Sequence, residues 1–185
     1  GVLFLIGVVY AITDVNNDDS EVTELEVPES GESKIDSKTE ALLLAESTAM
    51  VKEYKNTPGV LLFLLGNENN YGLFWGGAET EDIPIKDRKS TMRAEAMYKV
   101  FNKAVVAMKA IDTTHPMAIC NGDLLFIDLI AKECKDIDIL GVNMYRGVTF
   151  TDAFEVVKKE LNKPMLLTEF GSDAFNAIEN QEDQK

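Results

Sequence analysis

The stretch VLLFLLGNENNY, residues 60–71, decides the fold of this chain. Six apolar residues stand in succession before the polar turn Gly66-Asn67-Glu68. An apolar run of this length is typical of a strand that is buried on both faces, as in parallel sheets. A second run, MLLT at residues 165–168, also leads directly into a carboxylate, Glu169. We therefore predict two buried parallel strands that each present a glutamate at the carboxyl end.

Strand and helix patterns alternate along the rest of the chain. Strands are predicted within 2–12 and at 60–65, 117–120, 137–144 and 165–168, and helices at 39–55, 87–111, 124–134 and 151–161. This alternation is typical of a parallel α/β sheet. We predict the α/β class and a single partial (β/α)8 TIM-barrel domain over residues 1–185, with about five parallel strands and an acidic loop at 13–37.

The composition excludes two classes of partner. The chain has 185 residues, with 32 acidic against 18 basic side chains and a net charge of −14. Nucleic acid and anionic membrane surfaces both require a basic face, so neither is expected to bind. The apolar stretch 2–12 is too short to span a bilayer. Cys120 and Cys134 are either two buried thiols or one disulfide, and they do not fix the compartment.

The two strand-end glutamates indicate the chemistry. In barrel enzymes the catalytic groups lie at the carboxyl ends of the strands, so Glu68 and Glu169 are expected to meet there. Such a pair is the machinery that cleaves a glycosidic bond. Asn67 is placed to bind a sugar hydroxyl while Glu68 addresses the glycosidic oxygen. The alternative for Glu68 is a cap at the start of a helix.

Other polar and aromatic positions carry two interpretations each. Asn121 and Asp123 either line the site or form a turn in which Asp123 caps the next helix. Trp75, with its neighbours Tyr71 and Phe74, either stacks on a sugar or anchors its loop. Arg146 either meets a substrate carboxylate or pairs with a loop acid.

No cofactor or metal is expected. The one histidine, His115, precedes Pro116 at the start of a strand, at the opposite end of the sheet from the carboxylates. A metal-dependent barrel hydrolase is therefore disfavoured, and no glycine-rich loop has phosphate-binding spacing.

Three motifs together resemble the clan A glycoside hydrolases. The segment from KEYKNTP at 52–58 to GNE at 66–68 resembles their fourth-strand region and is most similar to family 2, which includes β-galactosidases, β-glucuronidases and β-mannosidases. TEFG at 168–171 resembles the seventh-strand nucleophile motif, and GVNMY at 141–145 resembles the sixth strand. The resemblance covers roughly residues 38–176.

The resemblance implies a retaining β-glycosidase that acts on a β-glycoside oligo- or polysaccharide. Glu68 would be the acid/base and Glu169 the nucleophile of a double displacement. Tyr145 would hold the Glu169 carboxylate by a hydrogen bond, and Asn143 would join Asn67 in substrate binding.

Part of the family pattern is not found. If Glu68 ends strand four and Glu169 ends strand seven, the chain supplies strands three to seven. We expect the other strands from the rest of a longer parent chain. The second hypothesis is a non-catalytic carbohydrate-binding relative, or an inactive fragment of such an enzyme.

Overall fold

The computed structural model describes residues 4–8, 35–74 and 89–172, which form one parallel sheet covered by helices. Five strands stand side by side in chain order: β1 (Phe4–Val8), β2 (Val60–Leu65), β3 (Met117–Gly122), β4 (Ile139–Met144) and β5 (Met165–Phe170). The connections contain α1 (Ser37–Tyr54), α2 (Lys89–Lys109), α3 (Ile127–Glu133) and α4 (Ala153–Glu160), with a short 3-10 helix at Tyr71–Phe74. The predicted α/β partial barrel is confirmed.

The first helix begins two residues earlier than its apolar pattern indicated. Asp36 accepts hydrogen bonds through Oδ1 from the backbone N–H groups of Lys38 (3.0 Å) and Thr39 (2.9 Å). These bonds satisfy amide groups that the first helical turn leaves without a partner, so the helix starts at Ser37. Most of the predicted acidic loop, residues 13–34, lies outside the described residues.

Side chains alternate between two faces of the sheet, and each face has its own apolar cluster. The helix-facing side packs against all four helices and includes Phe63, Leu65, Met117, Ile119, Leu140, Val142 and Met144. The inner face, which corresponds to the barrel interior, includes Leu62, Leu64, Ala118 and Cys120, with Ile139 and Leu166 against them. A side chain's face therefore decides whether it reaches a site at the strand ends or the helical layer.

The pairing of β4 with β5 contains one extra residue. Val142 lies opposite Leu167, but the next residue of β4, Asn143, lies opposite Glu169, which leaves Thr168 unpaired as a β-bulge. Strict alternation would put Glu169 on the same side as Leu167, against the helices. The bulge instead places Glu169 on the face of its partner Asn143, which is the inner face.

Both cysteines are free and buried. Burial raises the pKa of the Cys120 thiol and raises that of Cys134 to about 12. Of the two interpretations left open by the sequence, the structure therefore has two protonated thiols. Among the described helices, none combines the length and apolar character needed to cross a membrane.

Candidate active site

Glu68 is held over the carboxyl ends of β2 and β3 by its backbone. The chain turns after β2 through Gly66 and Glu68, which have φ angles of 73° and 54°. The N–H of Glu68 donates to the Cys120 carbonyl (3.1 Å), and the Glu68 carbonyl accepts from the N–H of Tyr71 (3.0 Å). These two bonds fix the residue to the neighbouring strand and to the short 3-10 helix.

Asn70 provides a further link between this loop and β3. Its side chain is 1% exposed, donates through Nδ2 to the Gly122 carbonyl (2.8 Å) and accepts from the Gly122 N–H (2.7 Å). The amide side chain thus extends the backbone hydrogen bonding of the sheet beyond β2. Asn70 was not among the predicted site residues, although the consecutive polar residues that follow Glu68 indicated that this loop is held by side-chain hydrogen bonds.

Glu169 lies in the last two residues of β5, at the same end of the sheet as Glu68. Tyr145, at the end of the neighbouring strand β4, donates from its hydroxyl to Glu169 Oε2 at 2.8 Å, so the predicted hydrogen bond is present. Both side chains are exposed to solvent. The loops that follow them are joined by a bond from the Gly147 N–H to the Gly171 carbonyl (3.1 Å).

The two carboxyl groups have different environments. Partial burial is the main cause that raises the pKa of Glu68, and the charge of Glu169 raises it further. The Asn143 amide acts in the opposite direction, because it favours the charged form. Glu169 is exposed and receives the Tyr145 hydroxyl. Burial therefore favours the neutral form of the Glu68 carboxyl, which is the form that a general acid needs.

A buried amide lies between the two glutamate-bearing segments. Asn143 is 1% exposed; its Nδ2 donates to Asn67 Oδ1 (3.1 Å), and its Oδ1 accepts from Thr168 Oγ1 (2.5 Å). The Cys120 thiol is 3.3 Å from both Asn143 Oδ1 and Thr168 Oγ1. Asn67 itself is exposed. Thr168 and Cys120 were not among the predicted site residues, because their position depends on the bulge and on the strand register.

The structure does not bring Asn121 to this site. Its side chain is 2% exposed and lies on the helix-facing side, where Oδ1 accepts from the Tyr98 hydroxyl (2.6 Å). Its Nδ2 donates to the carbonyls of Asp123 (2.8 Å) and Leu125 (3.1 Å). The amide therefore ties the strand end to helix α2 and to the following loop.

Asp123 lies at the rim and forms an ion pair with Arg146. The guanidinium donates from Nε to Oδ2 (2.9 Å) and from Nη2 to Oδ1 (2.5 Å). Burial alone would raise the pKa of Asp123, but the bonds from Arg146 and the Leu124 amide outweigh it and lower the pKa. Of the alternatives for Arg146, the structure shows the pair with a loop acid. The N-cap of α3 is Phe126, so Asp123 does not cap that helix.

A depression of about 540 Å³ adjoins this ion pair. It is bounded by Tyr71, Asp123, Arg146 and residues 124–128, which lead into helix α3. The ring of Tyr71 covers Gly122 so closely that a Cβ there would lie 2.2 Å from Tyr71 Cε2. Trp75, which was also predicted to stack on a sugar, lies outside the described residues.

His115 lies at the amino end of β3, where its Nδ1 is 2.6 Å from Asp112 Oδ2. Within residues 35–74 and 89–172, no group of three His, Cys, Asp or Glu side chains is arranged to hold a metal ion.

Several solved structures are similar to this chain in fold. A β-D-glucuronidase of Dictyoglomus thermophilum is 22% identical, with a TM-score of 0.50 over 81% of this chain and 24% of that chain. A β-glucuronidase of Parabacteroides merdae is 19% identical, with a TM-score of 0.50 over 82% of this chain and 18% of that chain. An agarase, AgWH50C, is 14% identical, with a TM-score of 0.51 over 73% of this chain and 25% of that chain.

The chain therefore spans about a quarter or less of the length of these structures. No curated protein sequence matches it. The sequence does match a family, described as glycosyl hydrolases family 2, TIM barrel domain, over residues 9–184. That match covers nearly the whole chain and agrees with the parallel sheet and its strand order. The chain belongs to glycosyl hydrolases family 2, as part of its TIM-barrel domain.

Proposed function

We propose that the parent protein is a retaining β-glycosidase that hydrolyses O-glycosidic bonds by double displacement. The observation that carries the proposal is the pair Glu68 and Glu169 at one edge of the sheet, where Glu68 has a raised pKa and Glu169 is exposed and bonded to Tyr145. A protonated acid beside an ionised carboxylate is what a retaining mechanism requires.

In the first step, a Glu169 oxygen attacks the anomeric carbon while the Glu68 carboxyl gives its proton to the departing glycosidic oxygen. The C–O bond to the leaving group breaks, and a glycosyl ester of Glu169 forms. In the second step, ionised Glu68 takes a proton from water, whose oxygen attacks the same carbon and releases Glu169. Both glutamates then return to their initial protonation states.

Supporting residues are assigned from their positions. Tyr145 holds the Glu169 carboxylate in the attacking orientation through its 2.8 Å hydrogen bond. Asn67, which is exposed beside Glu68, binds a sugar hydroxyl. Trp75 keeps its proposed role as a sugar-stacking residue on sequence grounds alone. The substrate class is a β-glycoside oligo- or polysaccharide.

We also propose that residues 1–185 are one partial barrel domain and that the parent chain supplies the other strands. The support is the difference between the five described strands and the eight of a closed barrel. β1 and β5 each have one strand neighbour in the described sheet, so each has a free edge for a further strand.

The test uses the full-length parent protein and a panel of 4-nitrophenyl β-glucuronide, β-galactoside and β-mannoside. The best sugar is then supplied as its 2-deoxy-2-fluoro glycosyl fluoride, which slows the second step and traps the ester. We expect one added glycosyl mass on the peptide that contains Glu169, and none in Glu169→Ala. Glu46→Ala, an exposed glutamate on α1, is the matched control. Sugar binding without turnover or labelling would instead support the non-catalytic carbohydrate-binding hypothesis.

A further inference from the structure

We propose that Thr168 and Asn143 are positioning residues that hold the two glutamates at a fixed separation, through a buried chain of hydrogen bonds from the nucleophile strand to the acid/base loop. The inference rests on the proposed function and assigns the separation of its two glutamates to the side chains of Thr168 and Asn143.

The chain begins at the bulge in β5. Because Thr168 is unpaired in the β4–β5 ladder, it and Glu169 lie on the inner side in succession. The side chain of Thr168 packs against β4, where its Cγ2 lies 3.2 Å from the position that a Cβ on Gly141 would occupy. Its hydroxyl donates to Asn143 Oδ1. The hydroxyl thus ties the bulge, and with it the backbone of Glu169, to the neighbouring strand.

The chain continues across β4 to the other glutamate. Asn143 donates from Nδ2 to Asn67 Oδ1 at 3.1 Å, and Asn67 directly precedes Glu68. The Asn143 amide also favours the charged form of the Glu68 carboxyl. The Asn143 amide therefore accepts a hydrogen bond from the strand that carries Glu169 and donates one to the loop that carries Glu68. A displacement of either segment disturbs the other through this group.

The contacts have no strong substitute among the described residues. The Cys120 thiol is the other donor near Asn143 Oδ1, at 3.3 Å, and a thiol is a weak donor. Asn143 is 1% exposed, so water does not freely replace a lost partner. Loss of one hydrogen bond therefore leaves a buried polar atom without an adequate partner, and the bulge is free to shift.

Substitution of the Thr168 hydroxyl tests the first link. In the full-length protein, Thr168→Val removes the hydroxyl at nearly constant shape, and Thr168→Ser restores it. We expect Thr168→Val to lower kcat about 10- to 100-fold with little change in KM, because small misplacement of a reacting group has effects of this size. Thr168→Ser should recover most of the rate. Thr48→Val is the control, since within the described part of the chain the Thr48 hydroxyl bonds to its own helix, at Leu44 (2.8 Å) and Ala45 (3.0 Å).

A comparison of leaving groups tests the second link. Asn143→Ala should reduce kcat/KM more for an alkyl β-glycoside than for a 2,4-dinitrophenyl β-glycoside, which departs without protonation. It should also move the basic limb of the pH profile to higher pH, because the amide no longer favours ionised Glu68. Thr168→Val should reduce kcat/KM for both substrates to a similar extent, with no shift of that limb.

The outcomes separate the two proposals. An active wild type in which Thr168→Val keeps its full rate would overturn the positioning role alone, as would equal losses in Thr168→Val and Thr168→Ser. Equal effects of Asn143→Ala on both leaving groups, with an unshifted pH profile, would overturn the link to Glu68. If the folded wild-type protein neither cleaves any β-glycoside nor becomes labelled by the fluoro sugar, the proposed function is overturned, and this inference with it.

Discussion

Asn143 lies opposite Glu169 in the β4–β5 ladder, where a regular register would place Thr168. The extra residue turns the glutamate away from the helical layer and onto the face that Asn143 occupies. The orientation of the proposed nucleophile thus depends on a local irregularity in the sheet.

The first prediction assigns the roles of the two carboxylates by azide rescue. Glu169→Ala should abolish turnover, since no glycosyl ester can form, and azide should rescue it with inversion at the anomeric carbon. Glu68→Ala should still cleave 2,4-dinitrophenyl glycosides in the first step, and azide should then give a retained glycosyl azide, because azide needs no general base. Product configuration is read by proton NMR, with Glu46→Ala as control. The reverse pattern would exchange the two roles.

The second prediction concerns the pKa of Glu68 during turnover. Burial and the charge of Glu169 both raise this pKa in the free protein. In the trapped glycosyl ester Glu169 carries no charge, so the pKa of Glu68 should fall, and ionised Glu68 becomes available as a base. A ¹³C NMR titration of labelled glutamate, assigned with Glu68→Gln, measures the change. The complex with the free sugar controls for burial by the ligand, and an equal pKa in the two complexes would contradict the prediction.

The third prediction concerns the Tyr145 hydroxyl, 2.8 Å from Glu169 Oε2. Tyr145→Phe should lower kcat about 10²-fold, the usual effect of removing a hydrogen-bond donor from a reacting group. Far-ultraviolet circular dichroism should be unchanged, because the side chain is 46% exposed. Tyr54→Phe on α1 is the matched control, and a wild-type rate in Tyr145→Phe would remove Tyr145 from the mechanism.

The fourth prediction concerns the pH dependence of stability at the Asp123–Arg146 pair. The folded pKa of Asp123 is lowered, so its stabilisation is fully present above the unfolded value of about 4 and is lost as the pH falls through the folded value. Asp123→Asn should reduce the free energy of unfolding by about 1 kcal/mol at pH 7, because the pair is partly exposed. Urea unfolding at pH 7 and pH 3 measures the difference.

The loss of unfolding free energy caused by Asp123→Asn should be smaller at pH 3 than at pH 7. The matched control is Asp128→Asn, an exposed residue of the neighbouring helix α3. A penalty that is equal at the two pH values would show that the carboxylate charge is not its source.

The fifth prediction tests the position of Asn121. Tyr98→Phe removes the donor to buried Asn121 Oδ1 and should cost about 1–2 kcal/mol of unfolding free energy. Because Asn121 lies on the helix-facing side, kcat/KM of the folded protein should not change. Thermal unfolding and kinetics of Tyr98→Phe are compared with Tyr54→Phe. If Tyr98→Phe keeps full stability but loses much of its kcat/KM, Asn121 contributes to the active site after all.

Much of the fold follows from short-range patterns. The continuous apolar run at 60–65 predicted β2 at its observed bounds, and the helix predicted at 87–111 is present as α2. The first residues of the helices differ from the predicted ones by two or three positions, since local capping by groups such as Asp36 determines where a helix begins.

The site was less completely predictable. The hydrogen bond between Tyr145 and Glu169 follows from strand ends that meet at one edge, and it is present. Asn121 was assigned by its place near a strand end, but alternation from Met117 and Ile119 puts it on their side. The bulge at Thr168 depends on pairing with a strand that is distant in sequence, so a pattern within β5 does not contain it.

The left-handed backbone at Glu68, with φ at 54°, sets stability against activity at this one position. The left-handed conformation costs a residue other than glycine roughly 1 kcal/mol or more of folding free energy, whereas glycine adopts it freely. Glu68→Gly should therefore stabilise the fold while it removes the acid/base. A library screened for heat resistance alone would discard this glutamate early, so engineering of the domain requires an activity screen in every round.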